Sequence, residues 1–225
     1  MEGENKKQKS FANGLNFYKI FWIFYVGCFA GVVIETIWCK LKNGFFESRT
    51  ALILEPLNPV YGIGAVLMTI IFVRLTKKNN FLSNTFLFIG CMVVGGVFEW
   101  LCSFFQELVF GTITWHYDSN MLGIYGRTSL IYCIFWGALG IAWVRIIYPL
   151  LSNNIEKIPN RIGKSLTFIL LTFVCFDILF TSGAVIRREH RRNGTEAITK
   201  LDSFYDKYLD DEVLTLIYPH MRPVK

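Results

Sequence analysis

Glu35 and Glu99 are two carboxylates inside apolar runs long enough to cross a bilayer, and each occupies the same setting. Gly27, Gly31, Glu35 and Cys39 recur every fourth residue, so they share one helix face. Cys91, Gly95, Glu99 and Ser103 repeat that spacing. An ionised carboxylate near the bilayer centre costs at least about 2.5–3.5 kcal/mol, and such groups normally face a bundle interior or a watery cavity. Three kinds of chemistry fit. The glutamates line a ligand or ion pathway, they pair with a basic side chain as a folding lock, or they snorkel to the headgroups. Arg49 and Arg127 are the natural partners for a lock, because each lies in the loop that follows its glutamate. Gly27, Gly31 and Gly95 are small residues that let helices approach closely.

The loops carry the remaining unusual chemistry. The first contains Arg49 and runs through Glu55-Pro56-Leu57-Asn58-Pro59-Val60-Tyr61-Gly62. Pro59 is pre-organised for a helix start, and Pro56 pushes Glu55 towards an extended shape. A non-helical segment of this kind can dip into the membrane only where protein or water surrounds it. The second loop, Trp115-His116-Tyr117-Asp118-Ser119 up to Gly126-Arg127-Thr128, is dense in aromatic and polar groups. It reads either as an interfacial aromatic loop closed by Arg127 or as a lid over a binding surface. Asp177 is a third acid within an apolar run. The pathway candidates are therefore Glu35, Glu99, Arg49, Tyr61, Asp118, Arg127 and Asp177.

Known catalytic patterns do not accompany them. The chain has no Gly-x-x-x-x-Gly-Lys-[Ser/Thr] phosphate loop, no His-Glu-x-x-His and no Gly-x-Ser-x-Gly. His116, His190 and His220 lie apart, and no His/Cys grouping has zinc spacing. The expectation is a protein that is not an enzyme and that takes no metal or cofactor. The six cysteines all lie in apolar segments and read as small hydrophobes.

Composition states what positions these residues. The chain is 53% hydrophobic and 16% aromatic, with mean hydropathy +0.40 and 18% charged residues. Soluble domains carry roughly 25% charged residues. The chain therefore reads as an all-α, polytopic transmembrane helix bundle, in the cell membrane. The net charge of +6 fits anchoring against anionic headgroups better than nucleic acid, for which no recognition motif is present. About five spans are predicted, at residues 17–39, 59–75, 82–105 (extending towards 110), 129–151 and 162–186. Residues 1–16 read as a mobile polar tail. Residues 187–225 hold a basic cluster and then an amphipathic helix from Lys200 to Tyr218. Lys and Arg are too evenly shared between the two sides for the positive-inside rule to choose an orientation. The arginine cluster and the final helix suit the cytoplasm, which puts the N-terminus outside.

An internal repeat underlies the first four spans. Glu35 and Glu99 lie 64 residues apart, and at that offset Phe24 matches Phe88, Gly31 matches Gly95 and Val33 matches Val97. Tyr61-Gly62-Ile63-Gly64-Ala65 loosely matches Trp136-Gly137-Ala138-Leu139-Gly140. The membrane core at 17–151 thus divides into two parallel helical hairpins, 17–75 and 82–151, and the fifth span stands beside them. Duplicated transporters place their site where the repeats meet.

These residues resemble a bacterial membrane family, the type IV permeases assigned to ABC transporters. The resemblance covers residues 17–151. It rests on Gly31 to Glu35, on Pro56 to Ala65, on Glu99, and on Trp115, Tyr117, Asp118, Gly126, Arg127, Trp136 and Gly137. Two departures stand out: Glu55 replaces a small residue before Pro56, and the aromatic run is reordered to Trp115-His116-Tyr117-Asp118-Ser119. The resemblance implies a permease subunit served by a separate P-loop ATPase, with the lipid bilayer as its other partner. Five spans are few for one pathway, so a homodimer is expected. The competing reading is a membrane scaffold or regulator, in which the glutamates are structural and the tail binds other proteins.

Overall fold

The computed structural model describes residues 10–76, 78–117 and 122–224. Among the described residues, four helical stretches are long and apolar enough to cross a bilayer. They are α1 (Phe17–Asn43), α3 (Phe81–Phe110), the run Leu130–Glu156 and α6 (Asn160–Arg192). The third of these joins α4 (Leu130–Ala142), a π-helical turn at Trp143–Ile147 and α5 (Tyr148–Glu156). Between α1 and α3 lies α2 (Pro59–Leu75), apolar but only 17 residues long, or about 25 Å at 1.5 Å per residue. Two short helices follow α6, namely α7 (Lys200–Tyr208) and α8 (Asp211–Ile217). The strands are two-residue pairings: β1 (Thr112–Ile113) with β4 (Arg222–Pro223), and β2 (Gly123–Ile124) with β3 (Thr128–Ser129). The expected all-α membrane bundle is what the chain forms.

Helix starts are set by side chains that accept otherwise unpaired backbone N–H groups. Asn16 caps α1, Asn58 caps α2 ahead of Pro59, Asn80 caps α3 and Ser129 caps α4. Gly44 and Gly111 end α1 and α3 in the left-handed conformation that glycine adopts without steric cost.

The first four helices form two antiparallel hairpins that interlock in the same way. In α1–α2, Phe24 and Cys28 occupy the space where Gly62 lacks a side chain, and the Tyr61 ring lies on Gly31. In α3–α4, Phe88 lies against Gly137, Cys91 against Gly140, and the Trp136 ring on Gly95. Where Gly27 faces Ala65 in the first hairpin, Cys91 faces Gly140 in the second, so bulk and void trade partners. The buried cluster of Ile23, Met68, Phe72, Leu87, Cys91, Trp143 and Val144 joins the two hairpins.

At the end where α1 begins, Lys19 is fully buried and holds Glu156 at 2.5 Å and the Ser152 carbonyl at 3.2 Å. Arg145, in the π-turn, reaches the carbonyls of Thr76 and Lys78 and the side chains of Asn84 and Ser83. Residues 10–16 do not hang free as a mobile tail. Phe11 and Ala12 are buried against Ile155, and the Phe11 N–H donates to Asn160 at 2.7 Å. Residues 1–9, also read as tail, lie outside the described residues.

At the other end a polar cap forms. The expected single amphipathic helix is two, because Asp210 leaves the helix and its side chain caps α8 through the Val213 N–H. A capping box between Thr199 and Asp202 starts α7. Tyr205, Leu209, Leu214 and Tyr218 bury against Ala184 and Val185 of α6. The ring hydroxyl of Tyr218 donates to the Ala51 carbonyl, and β4 pairs with β1, so the tail holds the α1–α2 loop and the α3–α4 loop.

Candidate functional site

Glu35 lies near the cap end of α1, one turn beyond Gly31. Because Gly31 has no side chain, the Tyr61 ring seats there, and its hydroxyl donates to the Glu35 carboxylate. Asn58 and Pro59 fix Tyr61 in the first turn of α2. Arg49 Nη1 stands 3.5 Å from Glu35 Oε1, and its Nη2 donates to Glu47 Oε2 at 2.7 Å. His220 Nε2 lies 3.1 Å from that same Glu47 oxygen. The His220 hydrogen bond, and after it the Arg49 charge, holds the Glu47 carboxyl below its ordinary range. Burial is the largest single influence on Arg49 and opposes its charge, but Glu35, Cys39 and Glu47 together outweigh it, so the guanidinium is held more firmly protonated. One continuous chain of polar contacts thus runs from the tail through Glu47 and Arg49 to Glu35 and Tyr61.

Glu99 occupies the matching place in α3 but has different neighbours. It is only 8% exposed. The Tyr117 hydroxyl donates to Oε1 at 2.7 Å and the Thr128 hydroxyl donates to Oε2 at 2.8 Å. Tyr117 stacks on Tyr132 with ring centroids 4.5 Å apart. Burial first, and then the nearby Glu99, push the Tyr117 phenol well above its usual range, so it stays a hydrogen-bond donor. Arg127, expected as the partner of Glu99, turns away from it. Its guanidinium pairs with Glu107, reaches Ser103 at 3.4 Å and lies 5.6 Å from each of the Trp100 and Phe104 ring centroids. Glu107 sits two turns beyond Glu99 on the same helix and captures the cation. Among the described residues no ion pair forms at Glu99.

The two halves meet at Tyr132, which lies within electrostatic reach of both Glu99 and Glu35 and of Arg49. Trp38 of α1 approaches Phe135 of α4 edge-on at 6.3 Å beside this junction. Glu35, Arg49, Tyr61 and Glu99 are therefore brought together, and Tyr117, Thr128 and Tyr132 join them. Sequence reasoning missed these last three. The available signal was two hydroxyl residues, Tyr117 and Thr128, bracketing the loop after the glutamate.

Asp177 does not join this junction through its hydrogen bonds. It is fully buried and accepts from the Leu54 N–H at 3.2 Å, the Glu55 N–H at 2.9 Å and the Thr181 hydroxyl at 3.0 Å. The Ile53 N–H donates to Thr181 at 3.0 Å. Three successive N–H groups of the first loop are thus satisfied by one turn of α6, which is how a non-helical segment can lie against the bundle. Glu55, the residue replacing a small one before Pro56, accepts from the Tyr25 hydroxyl of α1 at 2.9 Å. Asp118 lies outside the described residues.

No curated protein and no solved structure matches the chain. The sequence profile of the family described as "Putative ABC-transporter type IV" matches residues 22–182. That stretch runs beyond the 17–151 of the sequence resemblance and takes in Asp177 and most of α6. It covers more than two thirds of the 225 residues, both hairpins and the polar junction between them, and so this chain belongs to the ABC-transporter type IV family.

Proposed function

We propose that the chain is the membrane-spanning permease subunit of an ABC-type transporter in the bacterial plasma membrane, served by a separate P-loop ATPase. One observation carries this reading: each hairpin brings a hydrogen-bonded carboxylate to the junction between the hairpins, and Tyr132 lies within electrostatic reach of both. Transporters built from repeats bind their cargo at such a junction, and the matched interlock of the hairpins supports reading them as a duplication. Glu35, Arg49, Tyr61 and Glu99 would line the path. The chain itself performs no catalysis, and ATP hydrolysis belongs to the partner. Only 22–28% of the most apolar window in each long helix is buried, which leaves wide faces for lipid and for a second copy of the chain in a homodimer. The test is purification from the native membrane in mild detergent, with mass spectrometry of what accompanies the protein. A stoichiometric P-loop ATPase is expected. A stable protein recovered without one overturns the permease reading.

A membrane scaffold is the second reading. The Glu35–Arg49 ion pair and the Asp177 lock both stabilise the first loop without needing a ligand, and the folded cap offers a surface for another protein. Deleting residues 200–225 then removes a bound partner, whereas full retention of that partner after the deletion counts against the scaffold.

A further inference from the structure

Glu35 and Glu99 match in position, yet among the described residues only one of them has a counter-charge. Glu35 has the Arg49 guanidinium at 3.5 Å. Glu99 has two hydroxyl donors and the Trp136 indole beside it, and among the described residues no cation, because Glu107 holds Arg127. Ionised and enclosed by apolar helices, Glu99 would bear its charge uncompensated, which a low-dielectric site resists strongly. It must take up a positive charge from elsewhere.

We propose that Glu99 is the proton-exchanging carboxyl of this site and that Glu35, paired with Arg49, is its structural counterpart. The surroundings suit a proton. From α3, Cys102 lies near Glu99. From the second loop come Tyr117 and Thr128, from α4 Tyr132, and from α2 Tyr61 within electrostatic reach. All five are neutral donors or rotors. The charged groups beyond them, Arg49 with Glu35 and Arg127 with Glu107, are already paired. The exchange is balanced: a hydronium ion gives one proton to the Glu99 carboxylate and leaves as water, and the reverse step restores the carboxylate. When Glu99 is protonated, one of its two hydroxyl donors must become an acceptor. Thr128 can do so, because its Oγ1 also lies 3.8 Å from Cys133 Sγ, giving its hydrogen a second direction. Tyr117, in the second loop, is partly exposed, so the site has a side that opens towards that loop.

This assignment deepens the pathway reading, but it rests on the site's geometry and needs no ATPase. The experiment is labelling of the purified full chain with dicyclohexylcarbodiimide, which converts a protonated carboxyl in apolar surroundings to a stable adduct, followed by peptide mass spectrometry. Glu99 should be labelled several-fold more than Glu35, whose carboxylate is held by the Arg49 guanidinium. Its labelling should fall as pH rises. Arg49→Ala should make Glu35 reactive without altering the reaction at Glu99. Equal labelling of Glu35 and Glu99, or labelling of Glu99 that ignores pH, overturns the assignment. Wild-type protein suffices for the main comparison, so a variant that fails to fold does not remove the test. Selective labelling of a chain that purifies without an ATPase upholds the proton site and sinks the permease reading alone.

Discussion

At the scale of single residues, the difference between Glu35 and Glu99 comes from what the following loop can deliver. Arg49 reaches back to Glu35, and Glu47 shares it. Both members of the Arg49–Glu35 pair keep some contact with solvent, 18% and 30% by side chain, so screening reduces its worth to about 1 kcal/mol. Arg49→Ala should lower the melting temperature in detergent by a few degrees, and Glu35→Gln in that background should cost little more. Additive losses would mean the two side chains do not act as a pair. The pairing of Glu35 with Arg49 was legible in the sequence because Arg49 lies in the loop that follows the helix carrying Glu35. The fate of Arg127 was not. Glu99 and Glu107 compete for it from the same helix, and spacing alone does not rank an acid enclosed by Tyr117 and Thr128 against one nearer the surface.

At the scale of elements, each hairpin is specified by glycines that admit a ring. Gly31→Ala would drive a methyl group into Tyr61, so the ring must leave and its hydroxyl must release Glu35. Overfilling of this kind costs about 1–3 kcal/mol. A Gly31→Ala protein that melts with the wild type would show that the hairpin tolerates the strain elsewhere. The turn from α2 to α3 depends on Arg145, whose guanidinium collects the carbonyls of Thr76 and Lys78. Arg145→Ala should expose that turn, and limited trypsin digestion should cut after Lys78 several-fold faster. An unchanged cutting rate would remove Arg145 from this role. Four of the five expected spans were readable from apolar length; the other, α2, is apolar but shorter than the stretches that meet the length to cross. The π-turn that aims Arg145 was not, since it needs α2 and α3 to be in place around it. The break at Asp210 had a visible cause, a capping aspartate followed by two more acids, but the periodicity of Phe204, Tyr208, Val213 and Leu216 masks it.

At the scale of the whole molecule, the cap is fastened to α6 through charges that respond to acid. Hydrogen bonds from Arg187, and then from Arg191, bring the Asp206 carboxyl down to about 2 against the partial cost of burial. A depressed carboxyl stabilises the fold above its unfolded value of about 3.9, and that contribution is lost as pH falls through the folded value. A spin label at Ser203 of α7 should therefore be immobile at pH 5 and gain mobility as pH drops from about 4 to about 2. Asp206→Asn should be mobile throughout, and wild-type mobility that stays flat across that window would separate the cap from this charge cluster. That the tail would fold was legible in its amphipathic spacing. What it grips was not, because Tyr218 meets Ala51 and Arg222 meets Ile113 across more than a hundred residues of chain. That reach fixes the order of biogenesis. During synthesis the α1–α2 and α3–α4 loops leave the ribosome long before residues 200–224 exist, so the first loop and β1 must wait unfastened while α6 inserts. The cap closes last, and its closure distinguishes a chain with every helix seated from one that stalled on the way.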